Sequence, residues 1–501
     1  MKIQKYLQLS FQNLLQFIAK KQLQRIQKQY KQIHDEPISV VVVVGTVGKS
    51  SVTMLINKLF QNNDYHVISG TSQTKNLNSL TGLVMTLGGF YVELSTGIKI
   101  WQIQKLLFNA FLSILSPRYD LSLPTALVLE VGYDYQNESK IYVKIFESID
   151  LLVVSSCTWE HNQGFDSSIN RVLLDQVIPS LSENWQNYLN NNLIDTKLRN
   201  IAIEQLNLAQ NAKYIILPED IGRLSNTIVT NIINQNQSLD LLKNASIIEL
   251  LDNKSKFFVA KASSSRVNGI LVADKYIYNS KYFLPNTFAR TSLILESVAN
   301  AFEFEKETVK NTIANCELPF GRFGRFMGVN SSTIIDSTYN SDPASLNGLL
   351  DSLEEVINNP DSFGIAAGHI LIFGEMRELG DTAMQEHNDI LGRIIKLQEK
   401  YLTQILEVIL IGSEWHKLGQ KDNKSNYIKY LNTEFIIFES PQKICEYLDS
   451  NQNNYPQNSW YWVKGSQNTI FLEVVTKHLL RDQNDAQYLC RQEQKWDKLR
   501  V

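Results

Sequence analysis

Gly45, Thr46, Val47, Gly48, Lys49, Ser50 and Ser51 directly follow an apolar run at residues 40–44. Two glycines, a lysine and two serines in that order suit a loop that cradles phosphate. Backbone N–H groups curl around the anion, Lys49 approaches it as a point charge, and the Ser50 hydroxyl can ligate Mg²⁺. The residues that follow, VTMLINKLF, carry a helical apolar pattern, so a helix N-terminus adds its dipole toward the same anion. The common phosphate loop has four residues between its glycines, whereas here only Thr46 and Val47 separate Gly45 from Gly48. A plain glycine turn is the alternative, and Lys-Ser-Ser at the helix start favours nucleotide binding over it.

Two more stretches place chemistry after apolar runs. Glu130 closes TALVLEVG, and a carboxylate at a strand's end beside a phosphate loop is a hard oxygen ligand for Mg²⁺. Taken alone it could equally be a solvated residue ending a strand. His161 falls in SSCTWEHNQGFDS, where a neutral imidazole can ligate a metal or act as a base. A lone histidine is more often a surface or packing residue, so the case for His161 rests on the company of Lys49, Ser50 and Glu130.

Such residues need a scaffold that brings several strand ends together. Apolar β-branched runs alternate with helical patterns along the chain, as expected of an α/β protein with parallel sheets covered by helices. The runs are VVVVV, ALVLEVG and DLLVVSS in the first half, then TIIDS, HILIFGE, VILIGSE, FIIFES and YWVKGS. The 501 residues allow two or three domains. The expected layout is a basic amphipathic helix at 1–36, a central nucleotide-binding domain with a mostly parallel sheet at 37–318, a Rossmann-like α/β domain at 319–482, and a polar tail at 483–501. The tail reads as either a terminal helix or a loosely ordered end.

A hydrophobic content of 44% and a net charge of −3 describe an ordinary soluble chain with no general attraction for nucleic acid. Cys157, Cys316, Cys445 and Cys490 are scattered without CxxC spacing, which speaks against a zinc ribbon or a disulfide scaffold and for a reducing cytoplasm. No signal peptide is legible, since glutamine and lysine interrupt the first apolar run. The basic N-terminal helix reads as packed on the following domain, with contact to a membrane surface or a partner as its alternative. Residues 100–115 form the most apolar helical segment, shorter than the ~20 residues a membrane span needs, and read as a packed or interfacial helix.

As an ordered set, these motifs resemble the Mur ligases, ATP-dependent enzymes that form amide bonds in peptidoglycan synthesis. GTVGKSS matches the family's loop G-T-x-G-K-[ST]-[ST] without a gap. TKNLNSLTGLVMTL is similar to its Thr-x-x-Asn-x-Asn segment, LEVGYDYQNESKI to its metal-binding strand end, and HNQGFDS to its His-x-x-x-Phe-x-Ser turn. PFGRFGRF, then DSTYNSDP, LIFGEMRELGDTAMQEH and WVKGS continue the match, so that the resemblance covers roughly residues 40–480. It implies ATP and Mg²⁺ as cofactors, an acyl-phosphate intermediate, and attack on it by an amine such as D-alanyl-D-alanine. A muramoyl-peptide-like molecule would supply the carboxylate. By the family's pattern Ser50, Glu130 and His161 hold metal, and Arg322 and Asp336 reach the nucleotide. Asn76, Asn78, Tyr339, Asn340, Lys464 and Ser466 are expected to contact substrate. A monomer in the cytoplasm is the implied state.

The sequence departs from the family at four points. Only a helical segment precedes Gly45, where the family carries a UDP-sugar domain, so UDP is not expected to be recognised in the usual manner. Asp175 stands where many members have a carbamylated lysine, and could supply the anionic oxygen that the carbamate gives. The paired aspartates become Asp336-Ser337, and Arg290 replaces an asparagine near the adenine; an arginine there could stack on the base or bind phosphate. Two other readings stay open: a folylpolyglutamate-synthase-like ligase, disfavoured by DSTYNSDP, and a nucleotide-binding relative that no longer catalyses.

Overall fold

The computed structural model describes residues 2–72, 77–92, 100–115, 118–133, 135–156, 201, 204–205, 207–218, 247–249, 256–260, 264–267, 270–273, 276–278, 288–316, 318–363, 365–377, 379–418, 420–421, 427–430, 433–466, 470–497 and 500. The chain forms two compact units, residues 1–262 with 290–313, and residues 263–289 with 314–501. Both are α/β, as the alternating runs require.

In the first unit, β1 (Ser39–Val44) lies between β3 (Thr125–Glu130) and β4 (Ile149–Val154), parallel to both. With β2 (His66–Ile68), β5 (Ala212–Pro218), β6 (Ile247–Glu249) and β7 (Lys256–Ala260) they make a seven-stranded sheet of order β2-β3-β1-β4-β5-β7-β6. Only the β6–β7 pairing among these is antiparallel. Val40 to Val44 are all buried, which is why β1 reads as an unbroken apolar run rather than an alternating one. The register sets Val43 beside Glu130 and Val44 beside Val154, so the ends of β3, β1 and β4 emerge side by side.

Helices cover this sheet. The first, α1 (Lys2–His34), buries Leu15, Ala19, Leu23, Ile26 and Tyr30 at the three-to-four-residue spacing of one helix face. It packs on α3 (Leu80–Gly88), α4 (Ile100–Leu115) and α5 (Ser139–Ile145). The basic N-terminal segment therefore belongs to the core of this unit. Among the described residues no helix is long and apolar enough to cross a membrane.

The second unit holds an eight-stranded sheet. Its parallel centre runs β12 (Thr333–Ser337), β18 (Trp460–Lys464), β13 (His369–Gly374), β14 (Ile405–Ile411) and β17 (Thr433–Phe438). Antiparallel strands flank it, β11 (Gly324–Met327) at one edge, β16 (Tyr427–Tyr430) and β15 (Gln420–Lys421) at the other. A separate antiparallel sheet of β8 (Ser264–Val267), β9 (Ile270–Ala273) and β10 (Tyr276–Tyr278) belongs to the same unit. Leu371, Phe373 and Trp462 anchor the core on one sheet face, Ile370, Ile372 and Val463 on the other.

The polar tail is not a loose end. It forms a 3₁₀ turn at Gln483–Tyr488 and a short helix at Gln494–Asp497, with Leu489 and Cys490 buried between them. Its composition hides this because the anchors are ion pairs: the Arg491 guanidinium lies 3.1 Å from the buried Glu473 carboxylate, and that of Arg500 2.9 Å from the same group.

Candidate active site

The loop after β1 is built against the end of β4. Thr46 N donates to Ser156 O at 3.1 Å, Val47 N to Ser156 Oγ at 2.6 Å, and Ser155 Oγ to Val47 O at 2.7 Å. Gly45 has φ 135° and Gly48 φ 83°, backbone regions that favour glycine. Gly48 provides no side-chain cap for α2 (Lys49–Gln61), and the positive end of that helix is aimed at the loop. Lys49 is buried, and its ammonium donates to Gly45 O at 2.7 Å and Thr46 O at 2.8 Å. Two backbone carbonyls thus hold a cation at the loop's mouth, where a phosphate oxygen would be a stronger partner.

Gly45 is where this packing is tightest. A Cβ there would meet Ser155 Oγ at 2.2 Å and the Ser156 backbone at 2.9 and 3.0 Å. At Gly48 the nearest atom would be 4.0 Å away. Gly45→Ala is expected to cost about 2–4 kcal/mol through clash and strain, and Gly48→Ala about 1–2 kcal/mol through strain alone. Urea unfolding of the two variants checks that order, and equal losses would show that the strand-end contact does not constrain the loop.

Glu130 is buried at 3% exposure. Ser50 Oγ donates to its Oε1 at 3.1 Å, Thr71 Oγ1 to its Oε2 at 2.9 Å, and Asn78 Nδ2 to Oε1 at 3.3 Å. Hydroxyl and carboxylate oxygens from two neighbouring elements are the hard donors that Mg²⁺ selects, and the pair sits beside the phosphate loop. These residues fit a Mg²⁺–nucleotide. Lys49, Ser50, Glu130 and Asn78 are therefore brought together. His161, Asp175 and Asn76 lie outside the described residues, as does the side chain of Arg290, whose backbone belongs to the helix Phe288–Ala301.

The second unit gathers the DSTYN residues at the ends of β12 and β18, where Ser337 pairs with Lys464. Lys464 is buried and donates to Asn340 O at 2.7 Å. Ser466 is fully buried and its Oγ has no hydrogen-bond partner among the described residues. The Arg322 guanidinium lies 4.8 Å from the Tyr339 ring centroid, a cation–π contact. Asp336 is turned inward at 0% exposure, its Oδ1 accepting from Thr338 and Thr476 hydroxyls at 2.8 Å each. Arg491 donates to Thr338 O at 3.0 Å and Tyr339 O at 2.5 Å, so the tail fixes the backbone of this loop.

Burial, opposed by the two threonine hydroxyls, raises the Asp336 carboxyl to about 6. Burial also lowers His369 to about 4, and its Nδ1 accepts from Trp462 Nε1 at 3.1 Å. The signs oppose each other. Asp336 stabilises this unit below the ordinary carboxylate pKa and loses that contribution as pH rises through about 6. His369 stabilises it above the ordinary imidazole pKa and loses that as pH falls toward about 4. Asp336→Asn should therefore steepen the loss of stability on acidification, by up to about 3 kcal/mol across the window. Urea unfolding at a series of pH values reads the slope, and an unchanged slope would contradict an inward, proton-binding Asp336.

Reading by residue type passes over Thr71, Ser155, Ser156, Thr476 and Arg491. Ser155 and Ser156 had a signal, since they end the apolar run DLLVVSS beside the phosphate loop's strand. Arg491 had none, being one charged residue in a polar tail.

In fold the chain is similar to solved Mur ligases: its two α/β units follow theirs along most of the length of each. It superposes on MurF from Acinetobacter baumannii with a TM-score of 0.58, at 14% identity, covering 92% of this chain and 78% of that one. MurF ligase from Thermotoga maritima, solved in complex with ADP, gives 0.54 at 13% identity, covering 93% and 84%. In sequence the chain is 22% identical over 363 residues to the UDP-N-acetylmuramoyl-tripeptide–D-alanyl-D-alanine ligase of Rickettsia prowazekii. That match takes in 71% of this chain and 62% of the relative, so the chain spans less than two thirds of it. No protein-family model matches.

Proposed function

We propose that the chain is an ATP-dependent ligase that joins an amine, of the D-alanyl-D-alanine type, to a muramoyl-peptide-like carboxylate through an acyl phosphate. The observation that carries this is the loop Gly45–Ser51 with the Ser50–Glu130 pair beside it. ATP's γ-phosphoryl group passes to a carboxylate oxygen and ADP leaves. The amine then attacks the acyl carbon, the C–O bond to phosphate breaks, and the nitrogen gives up a proton. Such transfer depends on positioning and charge neutralisation more than on covalent help from the protein.

Each residue has a task in that scheme. Lys49 exchanges its carbonyl partners for phosphate oxygens and neutralises charge that moves to the leaving ADP. Ser50 and Glu130 would hold Mg²⁺, with His161 and Asp175 proposed to complete its ligands, and a dication held there would supply charge neutralisation to the phosphates. Asn78, on Glu130, fixes the carboxylate. Lys464 donates to the Asn340 carbonyl and positions that loop, while Ser466, Tyr339 and Asn340 are proposed to meet substrate, and Arg290 and Arg322 to serve the nucleotide; Asp336, turned inward onto Thr338 and Thr476, is left to brace the strand end. Work in the cytoplasm as a monomer is part of the same reading.

Phosphate release from ATP with Mg²⁺, measured with D-alanyl-D-alanine and a range of muramoyl peptides, tests it. Release that requires both an amine and a carboxylate substrate is expected. No substrate-dependent release with any pair would overturn the ligase reading and leave a nucleotide-binding relative.

A further inference from the structure

Helix α4 turns two of its polar residues, Gln102 and Ser113, inward. Gln102 and Ser113 are buried with Leu106 and Ala110, and Ser113 Oγ accepts from Gln22 Nε2 of α1 at 2.7 Å. The outer side carries Trp101, Phe108, Phe111, Leu112 and Leu115, with exposures of 55%, 64% and 71% at Trp101, Phe108 and Leu115. Spacings of seven, three, one and three residues place them along a single face about 21 Å long. A surface helix ordinarily buries such a face and wets the other. An apolar stripe of this length, interrupted by Gln104 and Lys105 between Trp101 and Phe108, marks an interaction surface.

Its surroundings are basic. Lys105 is exposed within the stripe, and Arg118 reaches back to α4 through Asn109 Oδ1 at 2.8 Å. On α1, Arg25 donates to the Ile114 carbonyl at the end of α4. Lys21 and Lys28, exposed one turn to either side of Arg25, share its face, and Lys21 lies against the exposed Phe17 ring. The sequence from Met1 to His34 carries Lys2, Lys5, Lys20, Lys21, Arg25, Lys28 and Lys31 and not one acidic residue, in a chain whose net charge is −3. The nearby acid Glu147 pairs with Lys20 at 2.6 Å, accepts from Gln24 and also lies within reach of the Lys21 charge, so it offsets only part of this basic surface.

We infer that the α1–α4 face docks on a lipid bilayer bearing anionic headgroups. The aromatic and leucine side chains enter the interface, while the lysines and arginines keep their charges at headgroup level. An aromatic and leucine stripe rimmed by cations is the chemistry of a helix lying in such an interface, and charge complementarity selects an anionic one. This inference rests on the two helices alone and is independent of the ligase reading.

Flotation of the full chain with phosphatidylcholine vesicles, with and without phosphatidylglycerol, tests it. Binding is expected only with phosphatidylglycerol and should weaken as salt rises. The pair Phe108→Ser and Leu115→Ser should lower partition at least about tenfold, and Lys21→Gln or Lys28→Gln about fivefold each. Because these side chains are exposed, the melting temperature should not change. Brominated phosphatidylglycerol should quench Trp101 fluorescence, and Trp101→Phe should abolish that component, which gives a readout needing no stripe deletion. Absence of flotation, flotation indifferent to the double variant, or lack of quenching would overturn the inference. So would dimerisation in vesicle-free buffer that the double variant abolishes, since a second copy would then be the occupant.

Discussion

Lys49→Met should lower ATP-dependent phosphate release about a thousandfold, the scale on which one charge-stabilising contact in phosphoryl transfer operates. The substitution keeps a long, unbranched side chain in a buried position and removes only the ammonium. It leaves the Gly45 and Thr46 carbonyls without that donor, at a stability cost of about 1–2 kcal/mol. Stability and turnover therefore separate: a small shift on unfolding, a collapse in rate. Lys49→Arg should not rescue, because the planar guanidinium needs room that the loop, packed on Ser155 and Ser156, does not give it. Steady-state kinetics with saturating Mg²⁺, beside a urea melt, make the comparison. A rate within tenfold of the unchanged chain would mean that the loop does not carry phosphate during turnover.

The lysine's place in the loop was legible because it depends on local sequence. A glycine pair, a cation and hydroxyls between an apolar strand and a helix can be recognised wherever they fall, and the strand ends carrying Lys49, Glu130 and the DSTYN loop were visible as apolar runs ending in polar residues. What local sequence does not carry is register. Asn78 is expected from its motif to meet substrate, and the contact its amide makes with Glu130 was not legible there, since it depends on where the Ser79 cap starts α3. Asp336 reads as one more carboxylate at a strand end. Its inward direction follows from strand alternation and from the distant Thr476, 140 residues on. The tail offers the same lesson, since Arg491 and Arg500 hold Glu473 and the Tyr339 loop through contacts that composition describes only as polar.

Glu130 separates structure from chemistry more sharply than any other position. In Glu130→Gln the amide oxygen can take the place of Oε1 and keep the donors Ser50 and Asn78. The amide nitrogen then faces Thr71, whose hydroxyl now donates to Oε2 and can rotate to accept instead. The network is conserved, so stability should change by less than about 1 kcal/mol. The charge is not conserved: a neutral carboxamide is a weak ligand for a hard dication. Phosphate release should fall about a hundredfold or more, and the Mg²⁺ concentration giving half-maximal rate should rise. Glu130→Ala strips the acceptor from three buried or half-buried donors and should also lose about 2–4 kcal/mol of stability. The informative comparison is thus between Gln and Ala: equal rates, unequal melts. A Gln variant with an unchanged Mg²⁺ titration would show that Glu130 only fastens Ser50, Thr71 and Asn78 to the end of β3, and would move the metal elsewhere.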